Sequence, residues 1–201
     1  MTAADDGPYV ILLAAGSASR FGSPKLLADV QGRPMLVRAI ESLLEVAPRH
    51  RVVVVIGANA DRLEPLVHNQ KVILVINHEH ADGMASSIRA GLANVPPDCP
   101  GVLIALADQV AVTPDDLRCL LDAWRADPER IAAARHGEVA GVPAIFPAAM
   151  FDQLAQLQGD RGARELLRRT AGQVIDVPMP TAAVDVDTPA DLAAVAHTLG
   201  R

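Results

Sequence analysis

Thirteen residues near the N-terminus, Leu13-Ala14-Ala15-Gly16-Ser17-Ala18-Ser19-Arg20-Phe21-Gly22-Ser23-Pro24-Lys25, combine small side chains, two glycines, an arginine and a lysine. A stretch this poor in bulk lets backbone N–H groups approach a polyphosphate closely, while Arg20 and Lys25 supply positive charge. The apolar run Tyr9-Val10-Ile11-Leu12-Leu13 just before it reads as a buried parallel strand. Strand, small-residue loop and cations together point to a bound nucleotide. Two familiar fingerprints do not fit. A P-loop requires Ser or Thr after its lysine, and Leu26 follows Lys25; the dinucleotide fingerprint requires Gly-x-Gly, and Ser17-Ala18 follows Gly16.

Asp108 is the next chemical group of interest. It ends the apolar run 102–107, which would deliver its carboxylate to the carboxyl edge of a sheet, where open α/β folds bind ligands. A carboxylate beside a triphosphate is repelled unless a cation lies between them, so Asp108 suits Mg²⁺; the plainer alternative is a turn aspartate before Gln109. Asp187, in Val184-Asp185-Val186-Asp187-Thr188-Pro189, is the expected second metal ligand, with helix capping as its alternative. Asn77, Gly83, Ser86 and Ser87 flank a helix start and offer small polar groups to a base or phosphate, although Ser86 also suits a helix start without ligand. His78, Glu79 and His80 lack a third and fourth ligand for zinc and read as a solvated turn. The segment 159–164, with Arg161 and Arg164, either reaches an anionic second substrate or caps the following helix. No nucleophile–base constellation is readable. Nucleotidyl transfer needs none, since positioning and charge neutralisation suffice.

Elements able to hold these groups alternate along the chain. Strands are predicted at 9–14, 51–56, 71–76 and 102–107, with helical periods between them through Leu36, Ile40, Leu43 and Leu44 and through Ile88, Leu92 and Val95. Pro34 lies near one helix start, and Pro114 opens another with Thr113 as N-cap. Further on, strands are predicted at 130–135, 142–146, 173–177 and 183–186, and helices at 148–157, 163–169 and 189–199. The pattern implies a three-layer, Rossmann-like α/β fold with a mostly parallel central sheet. With no repeat or linker, residues 1–201 are expected to form a single domain, 1–8 being flexible.

Composition narrows the function. Half the residues are hydrophobic but only 2% aromatic, so Ala, Val, Ile and Leu must build the core. A net charge of −6 argues against a general nucleic-acid binder. No run spans a bilayer, the acidic start lacks a signal-peptide pattern, and Cys99 and Cys119 form neither a disulfide framework nor a metal motif, so a cytoplasmic protein is expected.

These motifs, together with Leu106-Ala107-Asp108-Gln109, Gly141-Val142-Pro143-Ala144-Ile145-Phe146 and Gly159-Asp160-Arg161-Gly162-Ala163-Arg164, resemble the molybdenum cofactor cytidylyltransferase (MocA-like) family within the MobA-like nucleotidyltransferases. The resemblance runs from about Val10 to Leu199. It implies transfer of CMP from CTP to the phosphate of molybdenum-bound molybdopterin, with release of pyrophosphate. It also implies that Leu13, Ala14, Ala15 and Gly16 line the nucleotide pocket, that Arg20 and Lys25 hold the triphosphate, and that Asp108 binds Mg²⁺. Guanylyl relatives carry glycine at the position of Ala15, so the methyl would favour cytosine. Val142 departs from the polar residue many relatives place between that glycine and proline, which leaves the acceptor open. Transient contact with a molybdoenzyme or its chaperone is a further implication. The alternatives are another small phosphorylated acceptor, or a non-catalytic module that delivers cofactor.

Overall fold

Apolar runs that are hydrophobic on both faces must be covered on both sides by helices, and the chain arranges them so. The computed structural model describes residues 7–16, 21, 24–160, 162–186, 188 and 190–192. Strand β1 (Tyr9–Ala14) is followed by the short pair β2 (Asp29–Val30) and β3 (Arg33–Pro34), helix α1 (Met35–Leu44), β4 (Val52–Ile56), α2 (Ala60–Gln70), β5 (Ile73–Ile76) and α3 (Met84–Leu92). Then come β6 (Gly101–Leu106), α4 (Pro114–Ala126), β7 (Ile131–His136), β8 (Val139–Pro147), α5 (Phe151–Ala155), α6 (Ala163–Arg169) and β9 (Val174–Pro178). Seven strands form one sheet in the order β5-β4-β1-β6-β8-β7-β9, in which only β8 runs against its neighbours.

Strand alternation sends successive side chains into two cores. Val10, Leu12 and Val54 meet Leu36 and Ile40 of α1, Leu63 of α2 and Leu117 of α4 on one face. Ile11, Val53 and Ile104 meet Ile88 of α3, Leu154 of α5 and Leu166 of α6 on the other. The expected mostly parallel, three-layer α/β architecture is therefore the one formed. Thr113 caps α4 through a reciprocal box with Asp116, as predicted. Among the described residues, no helix is long and apolar enough to cross a membrane.

Several boundaries differ from the expectation. The strand predicted at 183–186 is absent: Pro180–Ala183 form a 3₁₀ turn, and 184–186 follow as irregular chain. Of the alternating Val184 and Val186, only Val186 is buried while Val184 is exposed, so the segment has no strand-like face. The 148–157 helix splits into a 3₁₀ turn and short α5. Helix α2 escapes the sequence reading because Pro65 interrupts it and only Leu63 and Val67 are buried. Gly7 and Pro8, expected to be flexible, belong to the folded body, since Pro8 is buried and the Arg51 guanidinium donates to the Gly7 carbonyl. The predicted 189–199 helix is helical over 190–192, the rest lying outside the described residues.

Candidate functional site

The site is built where four parallel strands end side by side. Register pairs Leu13 of β1 with Leu106 of β6, Ala14 with Ile56 of β4, and Ile56 with Ile76 of β5. The ladder continues past the strands, through Ala107 N–H to the Leu13 carbonyl and Ala58 N–H to the Ala15 carbonyl. The chain leaves β1 towards β4 on one side and reaches β6 on the other, which opens a crevice at the carboxyl edge. A cleft of about 510 Å³ occupies it, within the size range of small-molecule sites. Its walls include Ala14, Ala15 and Gly16 after β1, Lys25, Asp108 after β6, and Ser87 on α3.

Lys25 and Asp108 meet inside this cleft. The Lys25 Nζ lies 2.7 Å from Asp108 Oδ2, with side chains 11% and 24% exposed. Lys25 begins a 3₁₀ turn, Lys25–Leu27, whose buried Leu26 anchors the lysine against the core. The other Asp108 oxygen, Oδ1, is buried and without a hydrogen-bond partner. Asp108 lines the cleft, and a carboxylate oxygen without an internal partner suits a hard cation. No group of three or more His, Cys, Asp or Glu side chains able to hold a metal occurs among the described residues. A cation at Asp108 would draw further ligands from phosphate oxygens and water, as Mg²⁺ commonly does.

At the opposite end, small residues control the shape. A Cβ on Gly57 would come within 2.6 Å of the His80 Cβ and 2.9 Å of the Ala15 Cβ, so these three positions pack as one wall. His80 therefore lines the cleft and is half-buried, which corrects its reading as part of a solvated turn; His78 and Glu79 are exposed. Asn77 and Ser86 also need correction. The buried Asn77 amide donates to Ser86 Oγ at 2.9 Å and Ser87 Oγ at 3.0 Å, and its oxygen accepts from Glu79 N–H. Ser86 Oγ donates to the Gly83 carbonyl. With their polar groups engaged inside the protein, Asn77 and Ser86 brace the wall, whereas Gly83 and Ser87 face the cleft.

Gly83 adopts φ +90°, ψ −179°, a conformation open essentially to glycine. Any Cβ there would strike the Gly159 backbone at 2.4 Å and Asp160 Oδ1 at 2.6 Å. The Ala85 N–H at the start of α3 donates to the Gly159 carbonyl. The 159–160 turn thereby covers the α3 start and brings Asp160 into the cleft wall. Gln109 supplies a second brace: its buried amide donates to the Val142 carbonyl at 3.1 Å and the Ala182 carbonyl at 2.9 Å. Val186 N–H donates to the Asp108 carbonyl, so the chain before Asp187 runs beside Asp108. Arg20, Gly22, Arg161 and Asp187 lie outside the described residues. Sequence reasoning missed Ala58, Asn59, His80 and Asp160 as cleft residues. The first two were accessible to the carboxyl-edge rule, since they directly follow the apolar run of β4.

Comparison with known proteins adds three findings. A family model described as a MobA-like NTP transferase domain matches residues 10–174. Nicotine blue oxidoreductase of Paenarthrobacter nicotinovorans is 34% identical over 189 residues, covering 89% of this chain and 91% of that protein. Among solved structures, Rv0371c of Mycobacterium tuberculosis in complex with manganese is similar at 25% identity and TM-score 0.77, over 94% of this chain and 97% of its own. A nucleotidyl transferase from Methanothermobacter shares the fold at TM-score 0.81 and 21% identity, over 96% of this chain and 97% of its own.

Proposed function

This chain belongs to the MobA-like NTP transferase family, and from that premise we propose that it transfers CMP from CTP to the phosphate of a molybdenum-bound molybdopterin, with release of pyrophosphate. The observation that carries the proposal is the Lys25–Asp108 pair inside the cleft, with one carboxylate oxygen left unpartnered. A module that only delivered cofactor could dispense with a metal-binding carboxylate beside a triphosphate loop. The Ala15 methyl, packed towards Gly57 and His80, narrows the wall and favours a pyrimidine.

In this reading the acceptor's phosphate oxygen attacks the α-phosphorus in line, forming one P–O bond as the bond to the β-phosphate bridge breaks. Asp108 and Asp187 would hold Mg²⁺, which would supply positive charge to the phosphate oxygens. Lys25 turns from Asp108 to the departing pyrophosphate and neutralises the charge gathering there. Arg20 shares the triphosphate. The Asn77 network stiffens the wall on α3, and the Gln109 brace fixes the chain that carries Asp108, which favours a preorganised site.

The test is a pyrophosphate-release screen of the four NTPs with molybdenum cofactor as acceptor and Mg²⁺ present. CTP-dependent release that requires the acceptor supports the proposal. Release with a different phosphorylated acceptor would keep the nucleotidyl transfer and discard the pterin. A second reading rests on the 34% identity to a protein named as an oxidoreductase. Redox turnover of nicotine blue that proceeds without any NTP would favour it over transfer.

A further inference from the structure

A second cluster of polar side chains lies one strand beyond Asp108. An ideal Cβ on Gly141 of β8 would sit 3.6 Å from His136 Nε2 and 3.9 Å from Arg164 Nη2. Both nitrogens thus converge on one point from different elements, the end of β7 and the first turn of α6. Among the described residues neither side chain has a hydrogen-bond or ion-pair partner, unlike the neighbouring Arg135, which pairs with Asp176 at 2.8 Å. Two nitrogen donors held together without an acceptor are a site for an anion.

Its position gives it a role. Gly141 precedes Val142, whose carbonyl accepts from Gln109, the residue after Asp108. β8 is antiparallel to β6, pairing Ile104 with Ala144, so the N-terminal end of β8 lies at the same sheet edge as Asp108. The segment 159–164 connects the two regions, with Asp160 in the nucleotide cleft and Arg164 beside Gly141.

We infer that His136 and Arg164 form, over the bare backbone of Gly141, the subsite that binds the terminal phosphate of the acceptor. The inference rests on the transfer reading above and specifies its second substrate as a phosphate monoester. Arg164 offers two parallel N–H donors to phosphate oxygens, and His136 donates from Nε2 in the matching tautomer. Glycine at 141 keeps the space that a side chain would fill, leaving room for an oxygen. The bound phosphate would then approach the α-phosphorus from the β8 side, opposite the pyrophosphate held by Lys25.

The test uses the full chain with inorganic phosphate and phenyl phosphate as probes, with and without saturating CTP and Mg²⁺. The His136 ring resonance, identified by its loss in His136→Gln, is followed by NMR. Saturable shifts are expected in both nucleotide states. Arg164→Gln should weaken them by roughly tenfold or more, through loss of the charge-assisted contact of the guanidinium, and Lys25→Ala should leave them in place. A His136 resonance that ignores phosphate, responds equally to chloride, or loses its response in Lys25→Ala but not in Arg164→Gln overturns the subsite. In turnover, Arg164→Gln should raise the acceptor KM by a similar factor with the CTP KM unchanged. Phosphate binding at His136 in a wild type that transfers no cytidylyl group would support the subsite and overturn the proposed reaction.

Discussion

Two side chains in the cleft make opposite demands, and each can be tested separately. Lys25 is held 2.7 Å from Asp108, so a bound triphosphate would compete with the carboxylate for the ammonium. Lys25→Ala should cost about 2–4 kcal/mol of transition-state stabilisation, the scale of one preorganised charge contact. Steady-state kinetics should show kcat falling, with circular dichroism unchanged; a rate within twofold of wild type would remove Lys25 from the chemistry. Ala15 acts by shape. Its Cβ is part of the wall with Gly57 and His80, and Ala15→Gly removes the methyl from the base side. CTP-over-GTP preference should fall by about 1–2 kcal/mol, because a single methyl group discriminates weakly. Competition between the two nucleotides measures this, and an unchanged ratio would place base selection elsewhere.

The elements of the fold depend on a few contacts between loops. Gly83 is one such point, where φ +90° and the 2.4 Å approach of Gly159 leave no room for a side chain. Gly83→Ala should therefore destabilise the protein by about 1–3 kcal/mol and lift the 159–160 turn from α3. Thermal melts and protease sensitivity near residue 160 read the two effects, and an unaltered melt would mean the loops separate without cost. The sequence disclosed most of what surrounds this point. β1, β6 and the Thr113 cap were legible because unbroken apolar runs and a Thr-Pro-Asp-Asp start have few alternatives. Helix α2 was hidden because its buried stripe reduces to Leu63 and Val67. The 183–186 segment misled because Val184 and Val186 alternate in sequence, yet only Val186 is buried and Val184 is exposed. In the cleft, Lys25 and Asp108 could be found from local pattern. Asp160 could not, because it reaches the nucleotide side only through the close approach of Gly159 to Gly83. Asn77 and Ser86 showed the right polarity, but only the folded chain reveals that they bond to one another.

At the scale of the molecule, the sheet divides the work. Its parallel half, β5-β4-β1-β6, ends in the cleft we assign to the nucleotide, and antiparallel β8 opens the half where His136 and Arg164 both approach Gly141. A chain of net charge −6 that binds a triphosphate beside Asp108 faces an unfavourable field unless positive charge is brought in. Two like charges about 4 Å apart near a protein surface repel by about 4 kcal/mol. Lys25 offsets part of this, and a divalent cation at Asp108 would offset more. The manganese complex of the similar mycobacterial protein fits such a requirement. Nucleotide and metal should therefore stabilise the fold cooperatively, because a ligand bound only by the native state raises the melting temperature according to its affinity. CTP alone should raise Tm slightly, and CTP with Mg²⁺ or Mn²⁺ considerably more. In Asp108→Asn the repulsion and the metal ligand disappear together. CTP alone should then bind at least as well as to wild type, while adding metal should bring little further gain and turnover should stay low. Differential scanning fluorimetry across metal concentrations separates these outcomes. If Asp108→Asn retains the full metal-dependent rise, the cation is held elsewhere and the unpartnered Asp108 oxygen has another purpose.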